Sequence, residues 1–140
     1  MKVKYNRTST LEQNLARHQV NSHAFDKVYN DKVSGTVSFN DRPEAGKLIL
    51  DIEADLISEV HVSEISRCGR SILNLLSVIE YFNSKSVNLF VENIGMYSLI
   101  NGKPNPTFKL IVSVLGNVAE MERDAMLERQ RQGIEIAKAK

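Results

Sequence analysis

The chain has 140 residues, 42% of them hydrophobic and 25% charged, which is the size and composition of one globular domain with a single core. Its formal net charge is only +1, and the charges do not separate: residues 1–70 hold 10 Lys/Arg and 10 Asp/Glu, and residues 71–140 hold 8 and 7. The charge balance therefore gives no support for nucleic-acid binding, which must be argued from where the arginines lie.

Several classes of protein are excluded by patterns that the sequence lacks. No apolar run approaches the roughly 18 residues that span a membrane, and the first residues have no apolar segment of a secretory signal. The single cysteine, Cys68, cannot form an internal disulfide, and no Cys/His spacing is typical of zinc. The phosphate-binding patterns GxxxxGKS/T and GxGxxG are absent, which argues against a nucleotide-binding protein. We expect a cytoplasmic protein.

The first third of the chain predicts two strands, a helix and a loop. Val3 and Tyr5 alternate with polar residues, which predicts a strand that ends near Arg7. A helix is predicted over about residues 11–23, and a second strand around residues 25–29. Residues 31–43 are rich in turn formers and predict a mobile loop.

The middle of the chain continues the alternation of strands and helices. A helix is predicted from Pro43, a residue suited to the first turn, to about residue 54. Residues 57–65 predict a strand with Val60 and Val62 on one side, and residues 87–91 predict the next strand. Between them, residues 71–83 predict a helix whose apolar positions recur at spacings of three and are expected to be buried: Leu73, Leu76, Ile79 and Phe82.

A single long helix is predicted from about residue 106 towards residue 138. Its apolar stripe thins after residue 128 and consists of Phe108, Ile111, Val112, Leu115, Val118, Ala119 and Met126. Some 30 helical residues at about 1.5 Å each give a length of roughly 45 Å, which exceeds the diameter of a domain of this size. Its end is therefore expected to project, to pack on a partner or to lie on a ligand. The whole pattern predicts an α/β fold: a mostly parallel central sheet flanked by helices, with a protruding C-terminal helix.

Two clusters at strand-to-helix junctions could carry chemistry. At the first junction, Arg7 and Ser9 are two residues apart at a strand end, where they could share one phosphate, although Ser9 could equally cap the following helix. At the second, Arg67 and Arg70 flank Gly69, whose backbone permits a tight turn before a helix N-terminus that can bind an anion. Solvated surface arginines are the alternative interpretation of that junction. Two arginine-bearing junctions in one sheet favour a phosphate site.

A third cluster lies on the long helix at residues 121–131, where acidic and basic residues alternate. Opposite charges at neighbouring helical positions usually form a solvated, ion-paired face. That interpretation accounts for some of these residues but leaves the length of the helix unexplained.

Five motifs in chain order resemble those of the resolvase/invertase, or serine recombinase, family. They are Tyr5-x-Arg7-x-Ser9-Thr10 with Gln13, Asp31-Lys32-x-Ser34-Gly35, Arg42-Pro43, Ser66-Arg67-x-Gly69-Arg70, and Glu122-Arg123 with Glu128-Arg129. The resemblance covers almost the whole chain, and five motifs in order are far more specific than one.

The resemblance implies a role for each matching residue. Ser9 would be the nucleophile that attacks a DNA phosphodiester, and Arg7, Arg67 and Arg70 would bind and neutralise the scissile phosphate. A further set would support the active site: Tyr5, Gln13, Arg42 and Ser34. On the long helix, contacts to the active site or DNA would come from Arg123, Glu128, Arg129 and Arg131.

The resemblance also implies the reaction and the partners. Attack would leave a 5′-phosphoserine link and a free 3′-hydroxyl, and the ends would be exchanged within a tetramer of subunits that rest as dimers on double-stranded DNA. Arginines would supply the charge stabilisation that metals supply elsewhere, so no metal, ATP or other cofactor, no small-molecule substrate and no membrane is expected. Residues 1–105 would form the catalytic core and residues 106–140 the dimerisation and DNA-arm helix of the same domain. A DNA-reading domain is expected to lie outside this chain.

This chain departs from the family pattern at a few positions. Ser66 stands where members commonly carry Asp, which leaves the proton-transfer group unassigned, and Ala125 stands where relatives can carry a further arginine. Lys4, Asn6 and Thr8 replace small or apolar residues in the first strand. The alternative is therefore a non-catalytic, dimerising or DNA-binding relative of the same fold.

Two residue types outside the family pattern allow rival interpretations. The three histidines, His18, His23 and His61, could suggest a Ser/His mechanism, but no acidic partner is identifiable by spacing. Cys68 is either a redox-sensitive thiol or a small half-buried filler.

Overall fold

A five-stranded sheet lies at the centre of the molecule, in a computed structural model that describes residues 1–8, 24–69 and 71–139. The strand order is β2-β1-β3-β4-β5; the first four strands are parallel and β5 is antiparallel to β4. The strands are β1 (Lys2–Thr8), β2 (Lys27–Lys32), β3 (Glu59–Val62), β4 (Asn88–Val91) and β5 (Met96–Tyr97). A small antiparallel pair, β6 (Leu99–Ile100) and β7 (Lys103–Pro104), follows.

Within the described residues, three α-helices connect or follow these strands: α1 (Pro43–Glu53), α2 (Ile72–Ser84) and α3 (Pro106–Ala139). Two short 3-10 helices, Phe39–Asp41 and Ile65–Cys68, lie at the ends of loops. Pro43 occupies the first turn of α1 as predicted, and the Ser71 hydroxyl caps α2 by accepting the Asn74 backbone N–H. In the part of the chain that the structure describes, no helix is long and apolar enough to cross a membrane. The predicted helix at residues 11–23 lies outside the described residues.

The hydrophobic core packs against one face of the sheet. Strand residues alternate between faces, so Val3 and Tyr5 share a face with the residues paired to them on the neighbouring strands. That face meets α1, α2 and the 3-10 helix at Phe39, whose ring stacks edge-on against Tyr5 and Phe82. Its fully buried members include Leu48, Ile52, Val60, Val62 and Leu89. Each such side chain contributes roughly 1.5–3 kcal/mol by leaving water.

The opposite face of the sheet carries Lys4 and Asn6, two polar residues of β1 that depart from the family pattern. The Lys4 ammonium lies 2.9 Å from the Glu92 carboxylate, and the Asn6 amide donates to Asn30 Oδ1 at 2.9 Å. Buried polar groups are tolerated when they are paired in this way, and of these groups Asn6 Oδ1 alone has no hydrogen-bond partner among the described residues. These residues of β1 are therefore compatible with the fold, and they leave the Tyr5 face unchanged.

The face that α2 buries differs from the prediction. Leu73 is 78% exposed, whereas Leu75 and Val78 are buried together with the correctly predicted Ile79 and Phe82. Three residues advance a helix by 300°, so positions spaced by three drift backwards around it and cannot all face one sheet. The pair β6–β7 was not predicted, because two-residue strands are too short to show alternation.

Helix α3 is buried only at its beginning. Phe108 and Val112 join the core, and Gly116 lies so close to α2 that a Cβ there would be 2.0 Å from Ile72 Cδ1. Every described side chain from residue 117 to residue 134 is exposed, including apolar Val118 at 47% and Met126 at 50%. The helix was predicted correctly, and its 34 residues measure roughly 51 Å at about 1.5 Å per residue.

Candidate active site

Strand β1 brings Tyr5 and Arg7 to the carboxyl edge of the sheet on one face, because they are two residues apart. Tyr5 is fully buried, and its hydroxyl donates to Asp31 Oδ2 at 2.9 Å. Burial raises the pKa of the Tyr5 phenol well above its usual value, against the opposing effect of the nearby Arg42. The hydroxyl therefore stays protonated and remains a donor.

Asp31 ends strand β2 as a buried cap for the next helix. Its carboxylate accepts the backbone N–H groups of Glu44 at 2.8 Å and Ala45 at 2.9 Å, two of the donors left unpaired at the start of α1. The positive end of the helix dipole favours a carboxylate at this place. The sequence analysis put Asp31 in the following loop; this was wrong, because three hydrogen bonds hold it at the strand end.

Arg42 joins the first junction to the second. It is 1% exposed, and its Nε donates to the Val37 carbonyl at 3.0 Å. Its Nη1 donates to the Tyr5 hydroxyl at 3.3 Å and to the Arg67 carbonyl at 2.5 Å. The three residues Tyr5, Asp31 and Arg42 form what we call the buried network. Arg42 lies beneath the surface, so it can hold the site together but is not placed to contact a substrate.

Arg7 lies one step nearer the sheet edge than Tyr5 and is covered by a turn. Its Nη1 donates to the Val33 carbonyl at 3.1 Å, and a Cβ on Gly35 would lie 3.5 Å from its guanidinium carbon. The exposed Ser34 hydroxyl bonds the Thr36 hydroxyl at 2.9 Å and so shapes this turn. The predicted loop thus packs over one of the predicted phosphate-binding arginines.

The second junction presents Arg67 on a turn at residues 64–67, which we call the arginine turn. The Arg67 side chain is 17% exposed, and its Nε lies 3.4 Å from Glu64 Oε1. The exposed Ser66 hydroxyl donates to the same oxygen at 2.8 Å. Arg42 therefore holds the Arg67 backbone carbonyl, whereas the buried Nε of Arg67 lies within ion-pair distance of Glu64 without a hydrogen bond to any described residue, and the side chain remains partly accessible.

The arginine turn is packed closely against the start of α2. A Cβ on Gly69 would lie 2.9 Å from Asn74 Oδ1 and 3.0 Å from the Leu75 nitrogen, so only glycine fits. Asn74 Oδ1 also accepts the Phe39 backbone N–H at 3.2 Å. Asn74 thereby connects the turn to the segment that covers Arg7.

Cys68 is a fully buried filler. It has no exposed surface, and burial raises the pKa of its thiol to about 12 despite the opposing effect of Arg42. Because the thiolate is the reactive form, the redox-sensitive interpretation of Cys68 was wrong.

Several predicted site residues are not part of this geometry. Ser9, Gln13 and Arg70 lie outside the described residues, as does the side chain of Arg123. On α3, Glu128 and Arg131 form an exposed ion pair, and Arg129 is exposed beside them. The convergence of Ser9 with all three arginines therefore stays a prediction.

The described histidine lies away from the arginines. His61 pairs in register with Lys4, which places it on the sheet face opposite Tyr5 and Arg7, and it is packed against Glu59. The other two histidines, His18 and His23, lie outside the described residues. Within residues 1–8, 24–69 and 71–139, no group of three His, Cys, Asp or Glu residues could hold a metal ion.

Sequence reasoning missed three residues that organise the site: Asp31, Glu64 and Asn74. Asp31 appeared in a motif without an assigned role, and its partners are 13 and 14 residues away. Glu64 could have been noticed, because residues two and three positions apart in a tight turn can contact each other. No local signal points to Asn74, whose partner Phe39 is 35 residues distant.

Known proteins resemble this chain over nearly its whole length. The family model described as "Resolvase, N terminal domain" matches residues 2–140. The Tn1546 resolvase of Enterococcus faecium is 32% identical over 139 residues, covering 98% of this chain and 70% of that protein. The DNA-invertase of Escherichia phage P1 is 29% identical over 143 residues, covering 99% of this chain and 71% of that protein.

Solved structures share the fold. The N-terminal catalytic domain of TP901-1 integrase superimposes with a TM-score of 0.59 at 21% identity, covering 89% of this chain and 98% of that one. A resolvase family site-specific recombinase from Streptococcus pneumoniae gives a TM-score of 0.52 at 23% identity, covering 99% of each chain.

Proposed function

The chain belongs to the resolvase N-terminal domain family, and we propose that it is the catalytic domain of a site-specific recombinase that cleaves and rejoins double-stranded DNA through Ser9. The observation that carries the proposal is the bridge made by Arg42. Its guanidinium contacts both the Tyr5 hydroxyl and the Arg67 carbonyl, so the two arginine-bearing strand ends adjoin. Such an edge is suited to one phosphate group.

In the proposed reaction the Ser9 oxygen attacks the scissile phosphorus. A bond forms between that oxygen and phosphorus, and the bond from phosphorus to the 3′-oxygen breaks. Ser9 gives up its hydroxyl proton, and the departing 3′-oxygen takes up one proton to become a 3′-hydroxyl. The 5′-phosphoserine link conserves the phosphodiester, so the reverse reaction reseals DNA without ATP.

The arginines of this edge would stabilise the charge on the non-bridging oxygens. Phosphoryl transfer is catalysed mainly by positioning and by charge stabilisation, and a guanidinium offers a fixed fork that stays charged. Arg7 and Arg67 are partly accessible and would make such contacts, with Arg70 and Gln13 completing the site. The buried network would keep both strand ends in place, and Ser34 would support the turn over Arg7.

The exposed part of α3 would serve self-association and DNA binding. Its apolar side chains up to Met126 would meet a second subunit to give a dimer, and a tetramer during strand exchange. Beyond them, exposed Arg129 and Arg131 would contact phosphates or the minor groove, and Arg123 and Glu128 would lie near the active site. The proposed location is the cytoplasm.

The test is to trap the covalent intermediate. The complete gene product would be incubated in EDTA with nicked duplexes cut from the DNA that flanks its gene, so that the short cleaved fragment diffuses away. We expect protein attached to a 5′ end and a free 3′-hydroxyl that a polymerase can extend. A strict requirement for Mg²⁺ in cleavage, or attachment to the 3′ end, would contradict the proposed chemistry.

A second candidate is a DNA-binding or dimerising relative without catalysis. Ser66 favours it, because this residue lacks the carboxylate that members commonly have there. The same trapping assay separates the candidates, since a non-catalytic relative would retard the duplex in a native gel but leave no protein on it after denaturation.

A further inference from the structure

The arginine turn carries a carboxylate that the proposed reaction has not used. Glu64 Oε1 accepts the Ser66 hydroxyl at 2.8 Å and lies 3.4 Å from Arg67 Nε, so one oxygen contacts both groups. The Glu64 side chain is 44% exposed, and it therefore reaches the surface on which a DNA phosphate would bind.

We propose that Glu64, fixed in place by the Ser66 hydroxyl that donates to it, is a positioning residue for DNA cleavage, which orients the Arg67 guanidinium towards the scissile phosphate. This inference rests on the proposed function.

Two restraints on Arg67 support this role. Arg42 Nη1 holds the Arg67 carbonyl at 2.5 Å, and Glu64 contacts the Nε edge of its side chain. Among the described residues, no hydrogen bond engages the two terminal nitrogens of that guanidinium. The Arg67 Nε makes no hydrogen bond to a described residue, so the Glu64 carboxylate restrains it as an ion-pair partner, and the two terminal nitrogens stay available for bidentate contact with a phosphate.

The 3-10 geometry makes the contact local. Glu64 precedes the 3-10 helix Ile65–Cys68, whose tight winding brings residues two and three positions apart to the same carboxylate. The Arg67 N–H also donates to the Glu64 carbonyl at 3.2 Å, which fixes the turn through its backbone. Removing the carboxylate alone therefore leaves the turn hydrogen-bonded, and the fold is expected to survive.

If Glu64 were only a passive surface charge, the effect of removing it on the cleavage rate would have the opposite sign. A carboxylate beside a phosphate-binding arginine repels DNA, so its loss should tighten binding and leave cleavage equal or faster. A positioning residue instead accelerates cleavage at the expense of binding. DNA affinity and cleavage rate should then change in opposite directions when Glu64 is neutralised.

The variants are Glu64→Gln, Ser66→Ala, and Glu64→Gln combined with Ser66→Asp. The first removes the charge, the second removes the hydroxyl that donates to the Glu64 carboxylate, and the third returns a carboxylate two residues away. Glu53→Gln is the matched control: Glu53 is 48% exposed and likewise contacts a hydroxyl, that of Tyr81, and a cation, Lys85, at 3.2 Å.

Each variant of the complete gene product would be assayed for single-turnover adduct formation, DNA affinity and Tm. We expect Glu64→Gln to form the adduct about 10-fold more slowly or worse, with equal or tighter DNA binding and an unchanged Tm, because misdirected groups slow reactions steeply. Ser66→Ala should lose roughly 3-fold, and the double variant should return to within roughly 3-fold of the parent. Glu53→Gln should match the parent. The ¹⁵N resonance of Arg67 Nε should move in Glu64→Gln but not in Glu53→Gln.

The inference is overturned if Glu64→Gln cleaves at the parental rate or faster, if binding and Tm fall together with the rate, or if the Arg67 resonance does not move. If Glu64→Gln fails to fold, the rate of Ser66→Ala decides, and a parental rate overturns the inference. A parent that forms no adduct contradicts the proposed function itself, and the inference then falls with it.

Discussion

The buried network and the arginine turn each contain an arginine, and the two are held in opposite ways. Arg42 is 1% exposed and donates to the Val37 carbonyl, the Arg67 carbonyl and the Tyr5 hydroxyl. The Arg67 side chain is 17% exposed and meets a single acid that also reaches solvent. The difference indicates that the inner guanidinium determines where chain segments lie, and that the outer one is available to bind.

Replacing Arg42 with Met should disrupt the buried network. The three acceptors of Arg42 would be buried without donors, at about 1–3 kcal/mol each, so we expect the free energy of unfolding to fall by about 3 kcal/mol or more and Tm by roughly 10 °C. Cleavage should also fall, because the strand ends that carry Tyr5 and Arg67 would no longer be joined. Thermal unfolding followed by circular dichroism measures the first effect, and a parental Tm would show that Arg42 does not organise the site.

Helix α3 shows the same contrast along its length, since its beginning is buried and its described side chains from residue 117 to residue 134 are exposed. Val118→Glu with Met126→Glu should shift the protein towards monomer and abolish cleavage with the fold intact. Arg129→Glu with Arg131→Glu should keep self-association but weaken DNA binding and flatten its salt dependence, by about 0.9 in slope for each phosphate that the helix no longer neutralises. Sedimentation and salt-titrated binding separate the two pairs, which serve as each other's control. A dimeric first variant, or a parental salt slope in the second, would contradict this division of the helix.

Replacing Arg67 with Lys should affect phosphate binding at the arginine turn and leave the buried network unchanged. The charge is kept but the fork is lost, so adduct formation should fall about 100-fold while Tm changes little. Single-turnover cleavage and thermal unfolding of the same preparation test this. A Tm loss as large as that of Arg42→Met would place Arg67 among the structural residues instead.

Ionisation of the Cys68 thiol is expected to have the smallest effect, which is on the pH dependence of stability. Its pKa of about 12 in the folded state exceeds the ordinary 9.0, so only the unfolded chain ionises it as pH rises above 9. Its contribution to stability is therefore complete below pH 9 and is lost progressively towards pH 12. At pH 8, a thiol reagent should modify the native protein no faster than the protein unfolds. Rapid, stoichiometric modification under native conditions would show that Cys68 is exposed.

The sequence predicted those parts of the molecule whose signals are local. Alternation located β1 and β4, Pro43 marked the start of α1, and the long apolar stripe identified α3. The prediction of the buried face of α2 was partly wrong, because residues spaced by three stay on one face of a helix only approximately. The positions of Arg7 and Arg67 at predicted strand-to-helix junctions singled them out, and the resemblance assigned their roles.

What the sequence could not show depends on contacts between distant segments. The burial of Arg42 could not be predicted, because it depends on Tyr5, 37 positions earlier, and on the Arg67 carbonyl, 25 positions later. The same holds for Asp31, whose capping role requires the tertiary placement of α1. Burial of polar groups is decided by partners that the fold supplies, and no pattern within a short window encodes them.

The central claim is that Ser9 carries the covalent link to DNA, and the most direct measurement is mass spectrometry of the trapped adduct after proteolysis and nuclease digestion. The account predicts one phosphonucleotide-bearing peptide, modified at Ser9, which disappears in Ser9→Ala while that variant still binds the duplex. A link at Ser34, Ser66 or any other residue, or an adduct of parental yield from Ser9→Ala, would contradict it.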